Sequence, residues 1–137
     1  MLFRSESAQA RGFDEALLLN ERGEVAECTG ANLFIASGSQ VWTPPLNSGC
    51  LPGITREVLL GEIQVPGIRI GEKMLTTGDL ERADEVFITS TTRDLLPVTQ
   101  IEDQKVGRSD EVRQALAQGF ANFLGSYVAA HKEAVAR

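Results

Sequence analysis

Short apolar runs cut by glycine-bearing turns fill the first third of the chain, and this punctuation constrains the fold more than any other feature. Glu15-Ala16-Leu17-Leu18-Leu19-Asn20 reads as a buried strand, Glu21-Arg22-Gly23-Glu24 as a turn, and Val25 to Cys28 as the returning strand. Asn32-Leu33-Phe34-Ile35-Ala36 and Gln40-Val41-Trp42-Thr43 form a second pair around Ser37-Gly38-Ser39. Upstream, Ser5 to Arg11 reads as the tail of a helix ended by Gly12, so the chain is expected to begin inside an element.

Thr43 to Gly53 holds three prolines and two glycines and is expected to be irregular. Ile54 to Ile63 then reads as a helix whose apolar face is Ile54, Val58, Leu59, Leu60 and Ile63. Pro66-Gly67 breaks the chain before an alternating strand, Ile68-Arg69-Ile70. Thr76 or Thr77 caps a short helix with Leu80 and Ala83, and Glu85 to Ser90 is a strand. Pro97 to Val106 reads as an edge pair. In the last helix Ser109 is the expected N-cap, and Val112, Leu116, Phe120, Phe123, Leu124, Tyr127 and Val128 make a continuous apolar stripe suited to core packing. Strands and helices interleave, so the class is mixed α/β, and 137 residues leave room for a single domain, 1–137.

Thirteen basic residues against nineteen acidic ones give a net charge of −6 without a Lys/Arg cluster, which argues against nucleic acid and anionic membrane surfaces as partners. The apolar stretches fall far short of the ~20 residues that span a bilayer, and Met1 to Arg11 lacks the apolar core of a signal peptide. Two cysteines without a C-x-x-C make no disulfide framework, so a cytoplasmic protein is expected. His131 is the only histidine and sits near the end of a helical pattern, which excludes zinc sites built on several histidines. No dinucleotide or Walker glycine loop occurs. Chemistry here must come from carboxylates, hydroxyls, lysines or a borrowed cofactor.

Three places could carry it. Leu51-Pro52-Gly53-Ile54-Thr55-Arg56 puts a glycine beside the free amides of a helix start, a natural phosphate cradle, though an ordinary Pro-Gly helix entry has the same form. Thr89-Ser90-Thr91-Thr92 follows an apolar strand, where hydroxyls and amides suit phosphate or carboxylate, or simply end the strand. Glu27 lies within an apolar strand, either facing outward or part-buried and in need of a cationic or protonated partner. Cys28 and Cys50 read as small buried fillers.

Together these places resemble the signature of the class IV pyridoxal-phosphate aminotransferases, of fold type IV, a family that includes branched-chain and D-amino-acid aminotransferases and aminodeoxychorismate lyase. The matching blocks are Glu27 to Phe34, Val41-Trp42-Thr43, Leu51 to Arg56, Ala83 to Thr92 and Pro97-Val98, in order along nearly the whole chain. The resemblance implies the large C-terminal domain of that fold, without its N-terminal small domain. It implies that Glu27 meets the pyridine nitrogen of pyridoxal 5'-phosphate. It further implies that Gly53, Ile54 and Thr55 form one side of a phosphate cup, with Thr91 and Ser90 on the other. Asn32 would organise the strand behind the ring, Thr91 and Thr92 would hold the carboxylate of an amino-acid substrate, and Arg56 would brace the cup.

One departure matters. The family's Schiff-base lysine lies farther upstream of the glutamate than the 26 residues available here, and Lys73, Lys105 and Lys132 fall in no matching block. The expectation is a cofactor-holding domain, inactive in transamination alone. Two alternatives are half of a split enzyme completed by an N-terminal partner, and a non-catalytic binding or structural module. A homo-oligomer or a complementing N-terminal half is the expected partner.

Overall fold

The computed structural model describes residues 2–3, 15–89 and 95–135. The expected helix tail at Ser5 to Arg11 and the segment Ser90, Thr91 and Thr92 lie outside them. The chain runs through β1 (Leu2–Phe3), β2 (Glu15–Leu19), β3 (Val25–Cys28), β4 (Asn32–Ser37), β5 (Gln40–Thr43), a 3-10 turn at Leu46–Ser48, α1 (Ile54–Gly61) and β6 (Arg69–Glu72). It continues through α2 (Thr77–Arg82), β7 (Glu85–Thr89), β8 (Leu95–Pro97), β9 (Gln100–Ile101), β10 (Gln104–Lys105) and α3 (Glu111–Val135).

Both glycine-turn hairpins form, β2 with β3 and β4 with β5, each antiparallel. They part into different sheets: the first has the order β10-β9-β1-β2-β3 and the second β6-β5-β4-β7-β8. In the second sheet β5 and β6 run parallel, with Val41 opposite Ile70, and α1 makes the crossover that a parallel pair requires. The first turn of α1 therefore follows the carboxyl end of β5, the end at which open α/β sheets leave room for ligands.

The second sheet is the middle layer. Leu33 and Ile35 of β4, with Val86 and Ile88 of β7, face Leu17, Val25 and Cys28 of the first sheet and Leu80 of α2. Phe34, Ala36 and Phe87 face the other way, against Leu59 of α1 and Leu116 and Phe120 of α3. Phe34 and Phe87 are paired in the ladder, and their rings stack at 5.3 Å. Among the described residues no helix is long and apolar enough to cross a membrane.

The helices depart from the simple stripe reading in two places. Leu59 is fully buried, but Ile54, expected on the apolar face, is 72% exposed. Thr55 and Arg56 fill the buried positions of that first turn instead, Arg56 by reaching Glu72 of β6 and the Pro44 carbonyl of the loop. On α3 the stripe is covered at Leu116 and Phe120, whereas Tyr127 and Val128 are 51% and 57% exposed. A helix of 25 residues is about 37 Å long. A strand of five residues spans only about 17 Å, so α3 overruns the sheet it packs on. Its N-terminus is also held differently from expectation. Ser109 Oγ takes the Glu111 amide at 3.3 Å, while the carboxylate of Glu85, on β7, accepts the amides of Val112 and Arg113.

Candidate functional site

The Pro/Gly segment between β5 and α1 owes its shape to polar anchors, since it has no ladder of its own. Asn20 Nδ2 donates to the Ser48 carbonyl at 3.1 Å and Arg22 Nη2 to that of Asn47 at 3.3 Å. These bonds tie the 3-10 turn to the β2–β3 turn. Cys50 Sγ donates to the carbonyls of Pro44 and Pro45; Cys28 and Cys50 are both buried.

Farther along, Leu51 joins two of the predicted site residues. Its amide donates to Glu27 Oε1 at 2.6 Å, and its carbonyl accepts from Asn32 Nδ2 at 2.9 Å. Glu27 is half-buried on β3, and Asn32 is buried at the start of β4. Gly53, the N-cap of α1, approaches Asn32 so closely that a Cβ there would stand 2.3 Å from Oδ1. Only glycine fits at that separation. No side chain among the described residues caps α1, and the amides of Ile54, Thr55 and Arg56 precede the first intrahelical bond, from the Glu57 amide to the Gly53 carbonyl at 3.0 Å.

Arg56 is 2% exposed. Its Nη1 pairs with Glu57 at 2.5 Å and its Nη2 with Glu72 of β6 at 2.5 Å, and Nη2 also donates to the Pro44 carbonyl at 3.1 Å. It ties the first turn of α1 to both β6 and the loop. Its Nε finds no partner among the described residues.

The fold thus brings Glu27, Asn32, Gly53, Ile54 and Thr55 to one place from three elements. Ser90, Thr91 and Thr92 are not described, but Thr89, the last described residue of β7, stands opposite Asn32 in the ladder. Lys73 follows β6 and lays Nζ 5.6 Å over the Trp42 ring, Lys105 lies exposed in β10, and His131 and Lys132 lie in the last turns of α3. No group of three or more His, Cys, Asp or Glu suited to a metal occurs among the described residues. The joint that the sequence reading missed is Leu51, whose role is played by its backbone and leaves no mark on its side chain.

The profile of the class IV aminotransferase family matches residues 1–101. A putative branched-chain-amino-acid aminotransferase of Methanocaldococcus jannaschii is 38% identical over 115 residues, covering 82% of this chain and 40% of that protein. The branched-chain-amino-acid aminotransferase of Pseudomonas aeruginosa is 32% identical over 130 residues, covering 93% and 42%. Among solved structures, an Escherichia coli branched-chain amino acid aminotransferase superposes with a TM-score of 0.79 at 32% identity, over 86% of this chain and 40% of that one. The branched-chain aminotransferase of Thermobaculum terrenum in its PLP form gives 0.75 at 30% identity, over 88% and 40%. The chain spans about two fifths of the length of the curated relatives it matches.

Proposed function

Because the chain belongs to the class IV aminotransferase family, we propose that these residues hold pyridoxal 5'-phosphate for transamination of branched-chain amino acids, as part of a larger catalytic unit. The observation that carries the reading is the Glu27–Leu51 hydrogen bond. It sets a carboxylate and an uncapped helix N-terminus at the two ends of one short segment, Leu51 to Ile54. The residues suit the group. Glu27 has one oxygen on the Leu51 amide and its other oxygen without a partner among the described residues. The missing Cβ at Gly53 lets Asn32 Oδ1 pack against the entry of α1, whose first amides carry no side-chain cap.

When bound, the cofactor supplies a protonated ring that accepts electrons from a substrate carbanion. The Glu27 carboxylate would hold the proton at the ring nitrogen. The amides of Ile54 and Thr55 and the Thr55 hydroxyl bind the phosphate at the positive end of α1. By the family resemblance, Ser90 and Thr91 would add phosphate ligands, and Thr91 and Thr92 would receive the substrate carboxylate. A base must reach the proton it moves, whereas Lys73 Nζ lies over the Trp42 ring, Lys105 is exposed in β10 and Lys132 belongs to no block of the family resemblance. These 137 residues alone therefore bind the cofactor without covalent attachment and do not transaminate. The lysine comes from an N-terminal segment or partner, in a cytoplasmic protein that self-associates or pairs with that half.

The test is a pyridoxal phosphate titration followed by borohydride reduction and intact mass. Saturable binding without a single-site adduct is expected, and Glu27→Ala weakens it about tenfold, roughly one lost charge-assisted hydrogen bond. An adduct on one lysine would overturn the non-covalent part. Unchanged binding by Glu27→Ala would overturn the site.

A further inference from the structure

We propose that Asn32 is a positioning residue that sets both ends of this site at once, acting through the Leu51–Gly53 backbone and not by touching the ligand. The inference rests on the reading that Glu27 and the first turn of α1 hold the two ends of the cofactor.

Both polar atoms of the Asn32 amide face the loop. Nδ2 donates to the Leu51 carbonyl at 2.9 Å, and Oδ1 occupies the space a Cβ on Gly53 would need. The residue is buried and rides on β4, whose ladder with β7 runs without a break from Asn32–Thr89 to Ala36–Glu85. That makes it a fixed reference. Glu27, by contrast, lies on β3, the edge strand of the other sheet, and α1 stands beyond an irregular loop.

The coupling runs through Leu51. Pro52 follows it, and the residue before a proline is confined to extended backbone by collision with the ring. With that ψ restricted, holding the Leu51 carbonyl on Asn32 leaves little freedom in where the Leu51 amide points, and it points at Glu27 Oε1. Two residues on, Asn32 Oδ1 packs against Gly53 and fixes where α1 begins. Loss of the Asn32 side chain therefore releases the carboxylate and the helix terminus together. A residue that contacts the ligand directly affects one end only.

Amide hydrogen exchange of the ligand-free chain is read first, with the Phe34 amide of β4 as internal reference. Asn32→Ala is expected to speed exchange at Leu51 about tenfold with Phe34 unchanged, as for a local opening. Pyridoxal and inorganic phosphate are then titrated as separate probes of the two ends. Asn32→Ala is expected to weaken both, Glu27→Ala only pyridoxal, and Thr55→Ala only phosphate. Gly53→Ala is expected to cost about tenfold in pyridoxal phosphate affinity beside Asn32 and about twofold or less in the Asn32→Ala background, the non-additivity of a shared contact.

Unchanged exchange at Leu51, loss at one end only, or an equal Gly53→Ala penalty in both backgrounds would each overturn the proposal. If Asn32→Ala melts the sheet, Phe34 reports it and Asn32→Ser carries the same comparison. If the wild-type chain binds neither probe, the cofactor reading fails, while exchange at Leu51 still decides the role of Asn32.

Discussion

Glu85, on β7, accepts the amide proton of Val112 at 2.9 Å, so a strand caps a helix that begins more than twenty residues later. Its other oxygen takes the Arg113 amide at 2.9 Å, and the side chain is only 3% exposed. Two otherwise orphaned donors and the positive end of the α3 dipole are satisfied by one carboxylate. Glu85→Ala is expected to lower unfolding free energy by about 2–3 kcal/mol, from lost charged hydrogen bonds and lost capping. Glu85→Gln keeps one acceptor and loses about half as much. Urea denaturation of the three proteins checks the order.

Arg56 answers a different question, whether charge alone suffices. Its guanidinium reaches Glu57, Glu72 and the Pro44 carbonyl together, a spread that one ammonium cannot cover. Arg56→Lys is therefore expected to cost about 2 kcal/mol in urea unfolding, despite the conserved charge. The side chains of Glu57 and Glu72 are 50% and 44% exposed, so being left unpaired adds little.

Asp79 gives the chain an acid-sensitive element. The Thr76 amide donates to Asp79 Oδ2 at 2.9 Å and the Asp79 amide to Thr76 Oγ1 at 3.3 Å, a reciprocal box at the start of α2. The Thr76 amide holds the Asp79 carboxyl below its ordinary value; partial burial opposes it, and the Thr76 hydroxyl and Arg82 add lesser help. With the folded value depressed, this stabilisation is complete above the ordinary aspartate range and vanishes as pH falls through the folded value. Asp79→Asn is expected to cost about 0.5 kcal/mol at pH 7, kept small by solvent screening. The gap to wild type should close in strong acid; pH-dependent urea midpoints measure it.

The hairpins were legible because glycine turns and apolar runs are local signals, and Gly23 and Gly38 do adopt the positive φ such turns need. The candidate site was legible in part. Glu27 and the Leu51 to Arg56 segment stand out in sequence by residue type, and the fold joins them through a hydrogen bond between residues 24 apart. What escaped has a common cause. Periodicity reports which residues could be apolar-facing, not how far the opposing surface extends, so Ile54 and the Tyr127 end of α3 look like core and are not. Capping by Glu85 could not be read either, since its partner is chosen by which strand happens to underlie the helix. A strand of two residues, such as Leu2–Phe3, has no period to detect.

The middle layer sets limits of another kind. Along β4 and β7, alternate residues serve opposite cores, Leu33 and Ile35 on one side, Phe34 and Ala36 on the other, so neither strand has a side on which sequence can wander. Drift among descendants of this chain has to be absorbed at the margins, in β6, β10 and the overhanging turns of α3. The outline can therefore diverge widely while the strand bearing Asn32 and the strand leading to the Thr91 segment keep their spelling.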